Sequence, residues 1–459
     1  MKQEIPLLVK GGRIIDPAQD SDFLGNVLIE NGVVSWMMRE GEKLPALPEN
    51  YHILDAKGLI VCPGFIDLHC HLREPGFEAK ETIETGTTAA AVGGFTTVCA
   101  MPNTQPVLDN ASLIDFVYQR SSQEGVVRVL PIGAITEGSN GKNLAEMYEM
   151  ASAGAIGFSD DGKPVSDPNI MRQALTYSKG VGLPIIEHAE DIGLSSGGAM
   201  HDGWVSARLG LVGIPSAAEE SAILRDISLV RETGGRLHVA HVSTAGSLEA
   251  IKRAKDDGLS VTAEVTPHHL ALTHEWILGR REFGSNGHVY DTLAKVNPPL
   301  RTSNDCEALI TALEQGVIDL IATDHAPHTP EDKLVEFGDA AVGFTGLETA
   351  AGLLLTLVQQ KRLDLLTVIR SLTEKPASLL ATKVSGLGSL AVGSVGDITL
   401  LNLSSNWVVD SSNFQSKGKN TPLDGATLTG QVVATVYGGR VVHDSENRFA
   451  VERKGALDG

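Results

Sequence analysis

The sequence is poor in cysteine and in positive charge, and it has no long apolar run. Each shortage removes a class of function. Four cysteines in 459 residues (Cys62, Cys70, Cys99 and Cys306) form no C-x-x-C pair. Most lie inside apolar runs, which reads as reduced, buried thiols in a cytosolic protein. Lysine and arginine total 37 against 57 aspartate and glutamate, a formal charge of −20. That balance argues against nucleic acid and anionic membranes as partners, because both are polyanions. A small anionic substrate is still possible, since a few Arg or His side chains can build a local positive pocket. No stretch approaches the ~20 apolar residues that span a bilayer. The opening MKQEIPLLVKGG lacks the apolar core and cleavage site of a signal peptide. The expected location is the cytoplasm. Also missing are a G-x-S-x-G elbow, a P-loop and a convincing cysteine-nucleophile motif.

What is present points to an ordinary soluble enzyme, 42% hydrophobic and 20% charged. The length suits a large barrel plus a smaller attachment. Residues 1–58 alternate short apolar runs with turns, and Asn31-Gly32 between two such runs is a hairpin signal. The pattern returns from about residue 385 in GDITLLNL, VVATVYGG and RVVHD. The expectation is one small β-rich domain assembled from 1–58 and 385–459, flanking a barrel over 59–384. GLGSLA at 386–391 superficially matches a dinucleotide fingerprint but follows a helix-like stretch, so it reads as a turn.

The middle alternates eight short apolar runs with amphipathic segments such as KETIETGTTAAAVGG and SAAEESAILRDISLVRETGG. The runs are PGFIDLHCHL, FTTVCAMPN, VRVLPIGAIT, AIGFSDDG, PIIEHAED, LHVAHVST, SVTAEVTPHHL and IDLIATDHAP. That alternation predicts an α/β fold, a (β/α)₈ TIM barrel. Polar residues close several of the runs: His69 and His71 the first, Asp160-Asp161 the fourth, His188 the fifth, His241 the sixth and Asp324 the eighth. Barrel enzymes build their sites at the C-terminal ends of the strands, so these side chains should converge. The polar stretch 272–296 reads as a loop or lid over the barrel mouth.

Strand alternation puts both imidazoles of His69-Cys70-His71 on one face, where they can share a metal, and turns Cys70 toward the helices. His188 and His241 would each, alone, be read as core histidines. Falling at equivalent strand ends, four imidazoles and two carboxylates suit a pair of borderline divalent ions, zinc first. Adjacent Asp160 and Asp161 cannot both face the centre of a regular strand: one is a ligand candidate and the other a cap. The same alternation lets only one of Asp324 and His325 point inward. For His268-His269 a structural or supporting role is expected.

These motifs resemble the amidohydrolase superfamily and, within it, the bacterial type I dihydroorotases. The matches run nearly end to end: PGFIDLHCHLREPG, KETIETGTTAAAVGGFTTVCAMPNT, GFSDDG, EHAED, AHVST, EVTPHH, NPPLR, IATDHAPHT, GLET and SKGKNTP. H-x-H-x-R-E-P-G marks cyclic amidohydrolases in general; MPNT, NPPLR, ATDHAPH and SKGKNTP are more specific.

The resemblance implies that His69, His71 and Asp324 bind one zinc and His188 and His241 another, with Asp161 bridging, two zinc ions per subunit in all. Related hydantoinases bridge with a carboxylated lysine, and GAIGFSDDG has none there. The implied reaction is the reversible cyclisation of N-carbamoyl-aspartate to dihydroorotate, with Asp324 as the catalytic acid/base. The implied substrate contacts are His71, Arg73, Asn103, Asn297, His328 and the backbone near Val342-Gly343. Arg73 suits a carboxylate because its guanidinium donates two parallel bonds; the bland alternative is a surface ion pair with Glu74 or Glu78. A homodimer is implied, and association with aspartate transcarbamoylase is a further possibility. Two rivals stand beside this reading: an allantoinase or dihydropyrimidinase-like enzyme, and an inactive dihydroorotase-like scaffold for aspartate transcarbamoylase.

Overall fold

The computed structural model describes residues 5–43, 47–284, 287–380, 384 and 386–453. Its fold is α/β: a (β/α)₈ barrel carrying a small β-rich domain.

The small domain is built around the strand Leu7–Asp16, whose alternating LLVKGGRIID buries Leu7, Val9 and Ile14 in one core. It pairs antiparallel with Ser21–Glu30, which turns at Asn31-Gly32 into Val33–Arg39. Both turn residues take positive φ, 52° and 78°, the combination a tight hairpin requires. The chain's other end joins through Ile398–Val408, antiparallel to Ile60–Pro63. The N-terminal contribution to the sheet therefore runs to Pro63, past residue 58. GLGSLA forms a turn at Gly386–Gly388.

The barrel strands follow in chain order, parallel throughout. Phe65–Cys70, Phe95–Ala100 and Arg128–Pro131 form one arc. Ile185–Glu187, Leu237–Val239, Val261–Val265 and Leu320–Ile321 form the other. The fourth strand is reduced to Phe158, which bridges Gly133 on one side and Ile185 on the other. A parallel bridge from Cys70 to His325 closes the ring. GAIGFSDDG is glycine-rich, which explains why its strand is so short.

Helices begin where capping residues allow. Thr82 caps Ile83–Val92 by accepting from the Thr85 amide at 3.1 Å. The helix Ala217–Thr233 stops at Gly234 in the left-handed conformation, φ 66°. Inside the barrel, Ile66, Leu68, Leu130, Ile132, Ile186 and Leu320 pack into an apolar plug. That plug is a floor, and the polar strand ends stand on it.

Candidate active site

A register shift between Asp67 and Cys70 moves the first strand out of step with its neighbour. Ile66 and Leu68 stay in the plug, Cys70 packs in the helix layer, and His69 and His71 reach the centre. Asp67 holds the edge by accepting from the Thr323 amide at 2.8 Å. Three residues of the site, Arg73, His241 and Asp324, take left-handed backbone conformations (φ 62°, 34° and 47°). For non-glycine residues such conformations cost ~1–3 kcal/mol each and persist only where surrounding structure imposes them.

The structure brings His69, His71, Asp161, His188, His241 and Asp324 together, all buried. His69 Nε2 lies 3.4 Å from both Asp161 Oδ1 and Asp324 Oδ1. His71 Nε2 lies 3.1 Å from Asp324 Oδ1 and 3.4 Å from Asp161 Oδ2. His241 Nε2 is 3.4 Å and His188 Nδ1 3.7 Å from Asp161 Oδ1. Most of these separations are long for hydrogen bonds, yet donors bonded to a common tetrahedral ion at ~2.05 Å stand about 3.3 Å apart. His69, His71 and Asp324 each offer a donor atom within 4.8 Å of one another, as do His69, Asp161 and His241. His188 falls outside both triplets and approaches from the Asp161 side.

Outer acceptors orient the imidazole rings. His69 Nδ1 meets Glu264 Oε1 at 2.8 Å, and His71 Nδ1 meets Asn103 Oδ1 at 2.9 Å. His188 Nε2 meets Glu190 Oε2 at 3.0 Å. Each partner is an acceptor, so the outer ring nitrogen donates to it and the inner one is left facing the cluster. His69 Nε2, which faces both carboxylates, has no hydrogen-bond partner among the described residues. Inward ring nitrogens facing carboxylates are what a divalent cation needs, and the donor set fits one.

The electrostatics agree. Burial pushes the Asp161 and Asp324 carboxyls upward, but His69 and the neighbouring imidazoles more than offset it, holding both below the ordinary range. His188 opposes the downward pull of burial through Asp161 and Glu190 and is raised to about 10.

Above this cluster opens a cavity of about 310 Å³ whose lining includes Arg73, Asn103, Asn297, His328, Val342 and Gly343. Arg73 is not paired with Glu74 or Glu78: Nε donates to Pro327 O at 3.2 Å, while Glu74 is taken by Arg120 at 2.7 Å. His328 Nε2 donates to Val342 O at 2.9 Å, and burial together with Arg73 depresses its pKa to about 3. Asp160 turns away to accept from the Ile135 and Thr136 amides at 2.9 and 3.1 Å. His325 turns outward to Glu81 at 3.1 Å. His269 bridges Thr266 and Pro298, and His268 packs on Phe344.

Two partners of the cluster escaped the sequence reading. Glu264 and Glu190 orient His69 and His188, and both lie in motifs already noted, EVTPHH and EHAED. The signal was a carboxylate beside a strand end. Of the two readings of 272–296, the described residues favour the loop. Its Trp276 and Ile277 are buried, Tyr290 donates to Leu209 O at 2.7 Å, and Arg281 pairs with Asp291. Among its described residues none lines the cavity. Apolar side chains within the polar stretch pull it down onto the barrel.

A barrel whose strand ends gather imidazoles and carboxylates around a polar cavity defines an amidohydrolase, and a model of the amidohydrolase family matches residues 205–443. A second model, dihydro-orotase-like, matches residues 58–247. The dihydroorotase of Anaeromyxobacter dehalogenans (strain 2CP-1 / ATCC BAA-258) is 48% identical over 442 residues, covering 96% of this chain and 98% of that protein. The dihydroorotase of Pelotomaculum thermopropionicum is 49% identical over 437 residues, 95% and 98% of the two chains. Among solved structures, the L-hydantoinase (dihydropyrimidinase) of Arthrobacter aurescens superposes with a TM-score of 0.84 at 28% identity, covering 96% and 97%. The chain belongs to the dihydroorotase family.

Proposed function

We propose that this chain is a dihydroorotase, interconverting N-carbamoyl-L-aspartate and (S)-dihydroorotate in pyrimidine (UMP) biosynthesis. The observation that carries the reading is Arg73, a guanidinium with no ion pair among the described residues, lining a cavity floored by the imidazole–carboxylate cluster. A substrate that is both a cyclic amide and a carboxylate needs both features.

His69, His71 and Asp324 would hold one zinc, and His188 and His241 a second, with Asp161 shared, two per subunit. When bound, such ions supply a water acidified to about pKa 7 and a Lewis acid for the ring carbonyl. Asp324, kept ionised, accepts a proton from the attacking water and passes it to the ring nitrogen as the amide C–N bond breaks. Cyclisation runs through the same groups in reverse. Arg73 and Asn103 hold the substrate carboxylate, with His71 and Asn297 beside them, while His328 and the Val342-Gly343 backbone close around the ring. The working division of the chain is the expected one, a barrel between two β-domain segments with the second starting at 385, but with the first boundary moved from 58 to Pro63.

A homodimer, cytoplasmic location and association with aspartate transcarbamoylase belong to the same reading. No helix among the described residues is long and apolar enough to cross a membrane.

The structural likeness to a hydantoinase favours one competitor, a cyclic amidohydrolase acting on an uncharged ring. Purified protein assayed on dihydroorotate, hydantoin and allantoin, with and without added zinc, separates the two. Metal-dependent turnover confined to dihydroorotate is expected; turnover of an uncharged ring alone overturns the substrate.

A further inference from the structure

Ala341, Val342 and Gly343 form a strap along one wall of the cavity, and Lys333 grips it from behind. The Lys333 side chain is buried, with 1% of the residue exposed. An ammonium has three protons to donate. All three go to backbone carbonyls: Ala341 at 2.7 Å, Gly343 at 2.9 Å and Lys295 at 3.3 Å. Among the described residues it makes no ion pair. Burying an ammonium is costly, and an apolar side chain of like volume would fill the space more cheaply. Burial pulls the Lys333 pKa down to about 7, and a polar side chain stands here for what the three bonds hold.

A second anchor comes from SKGKNTP, the motif the proposed chemistry leaves unused. Asn420 donates to Ala326 O at 3.1 Å and to Gly343 O at 3.2 Å, and its Oδ1 accepts from the His328 amide at 2.8 Å. Gly343 sits at φ 106°, and a Cβ there would come within 2.6 Å of Ala326 Cβ. The strap is thus pressed onto Ala326 without slack. Its Val342 carbonyl in turn fixes the His328 ring through the 2.9 Å bond.

We propose that Lys333, with Asn420 as its partner, is a positioning residue that holds the strap and the His328 ring as one rigid wall of the substrate site. This rests on the dihydroorotase reading, in which His328 and Val342-Gly343 meet the substrate. Lys333 touches no reacting atom and acts through the wall alone.

Lys333→Met keeps the apolar stem and removes the donors. At unchanged metal content, KM for dihydroorotate rises about tenfold while kcat stays within about threefold of wild type. Lys333→Gln, which keeps two donors, recovers part of the loss. If Lys333→Met does not fold, Asn420→Ala takes its place and shows the same split. A double-variant cycle decides whether the effect runs through His328. Adding Lys333→Met to His328→Ala costs less than about twofold more if the two share one wall. An unchanged KM, or a full additional loss in the His328→Ala background, overturns the proposal. Wild-type protein that turns over no dihydroorotate is a different failure: it removes the functional reading, and the proposal falls with it.

Discussion

His69 Nδ1 lies 2.8 Å from Glu264 Oε1, and this one contact decides which nitrogen of the ring faces the metal cluster. The other oxygen of Glu264 meets His238 Nε2 at 3.0 Å, and His238 Nδ1 meets Thr262 Oγ1 at 2.9 Å. His69, His238 and Glu264 are buried, so the carboxylate depends on these protein partners for compensation. Burial pushes the Glu264 carboxyl up, but the two imidazoles prevail and lower it to about 2.

Glu264→Gln removes the charge and leaves the volume. Partners of this kind typically tune metal affinity by about 10–100-fold. The variant is expected to lose zinc affinity on that scale in a chelator competition, with an unchanged circular dichroism spectrum. Equal affinity would mean that His69 keeps its tautomer without Glu264.

Asp324 carries the proton in the proposed reaction and also faces His69 and His71. Asp324→Asn should lower kcat by at least about 10²–10⁴-fold, the usual contribution of a positioned acid/base. Metal analysis alongside the kinetics separates the two roles. Near-normal turnover would sink the mechanism.

Arg73→Ala removes the charge that recognises the substrate carboxylate. A charge-assisted bond contributes ~1.5–3 kcal/mol, so kcat/KM for dihydroorotate should fall about 10–150-fold. Any activity on uncharged hydantoin should change far less. An equal loss on both rings would assign Arg73 to structure rather than to recognition.

The barrel and its polar strand ends were legible in the sequence because both depend on local patterning. Period-two alternation aims His69 and His71 together, and the alternative aims of Asp160 and His325 followed from the same rule. What periodicity cannot show is a contact between side chains far apart in the chain. Glu264 reaches His69 across 195 residues, and Asn420 reaches His328 across 92. Nor could composition reveal that residues 272–296 hide Trp276 within a polar stretch.

His328 gives a pH prediction with a definite sign. Burial and Arg73 hold its folded pKa at about 3, well below the ordinary 6.5. Between those values the unfolded chain binds a proton that the folded protein refuses, so stability is lost as pH falls through that window. His328→Asn should flatten the stability–pH curve between pH 6.5 and 4 in denaturant titrations. The acid limb of kcat/KM should keep its midpoint in the same variant. A shifted midpoint would show that the His328 ring titrates in the working range.

Metal removal tests the cluster itself. Without an ion, Asp161 and Asp324 are balanced by protons on the imidazoles and by Arg73, and His188 is accordingly raised to about 10. A divalent cation must displace those protons to reach the inward nitrogens. Zinc binding to the chelated protein should therefore release protons, and the apparent affinity should climb as pH rises. Calorimetry in buffers of different ionisation enthalpy counts the protons directly. The same ions stabilise the fold by mass action, by about 3–4 kcal/mol at 100–1,000 times Kd. Chelation should thus lower Tm as it abolishes turnover, with both restored by zinc. Binding without proton release would mean that the imidazoles are already neutral, and that the carboxylates are balanced in some other way.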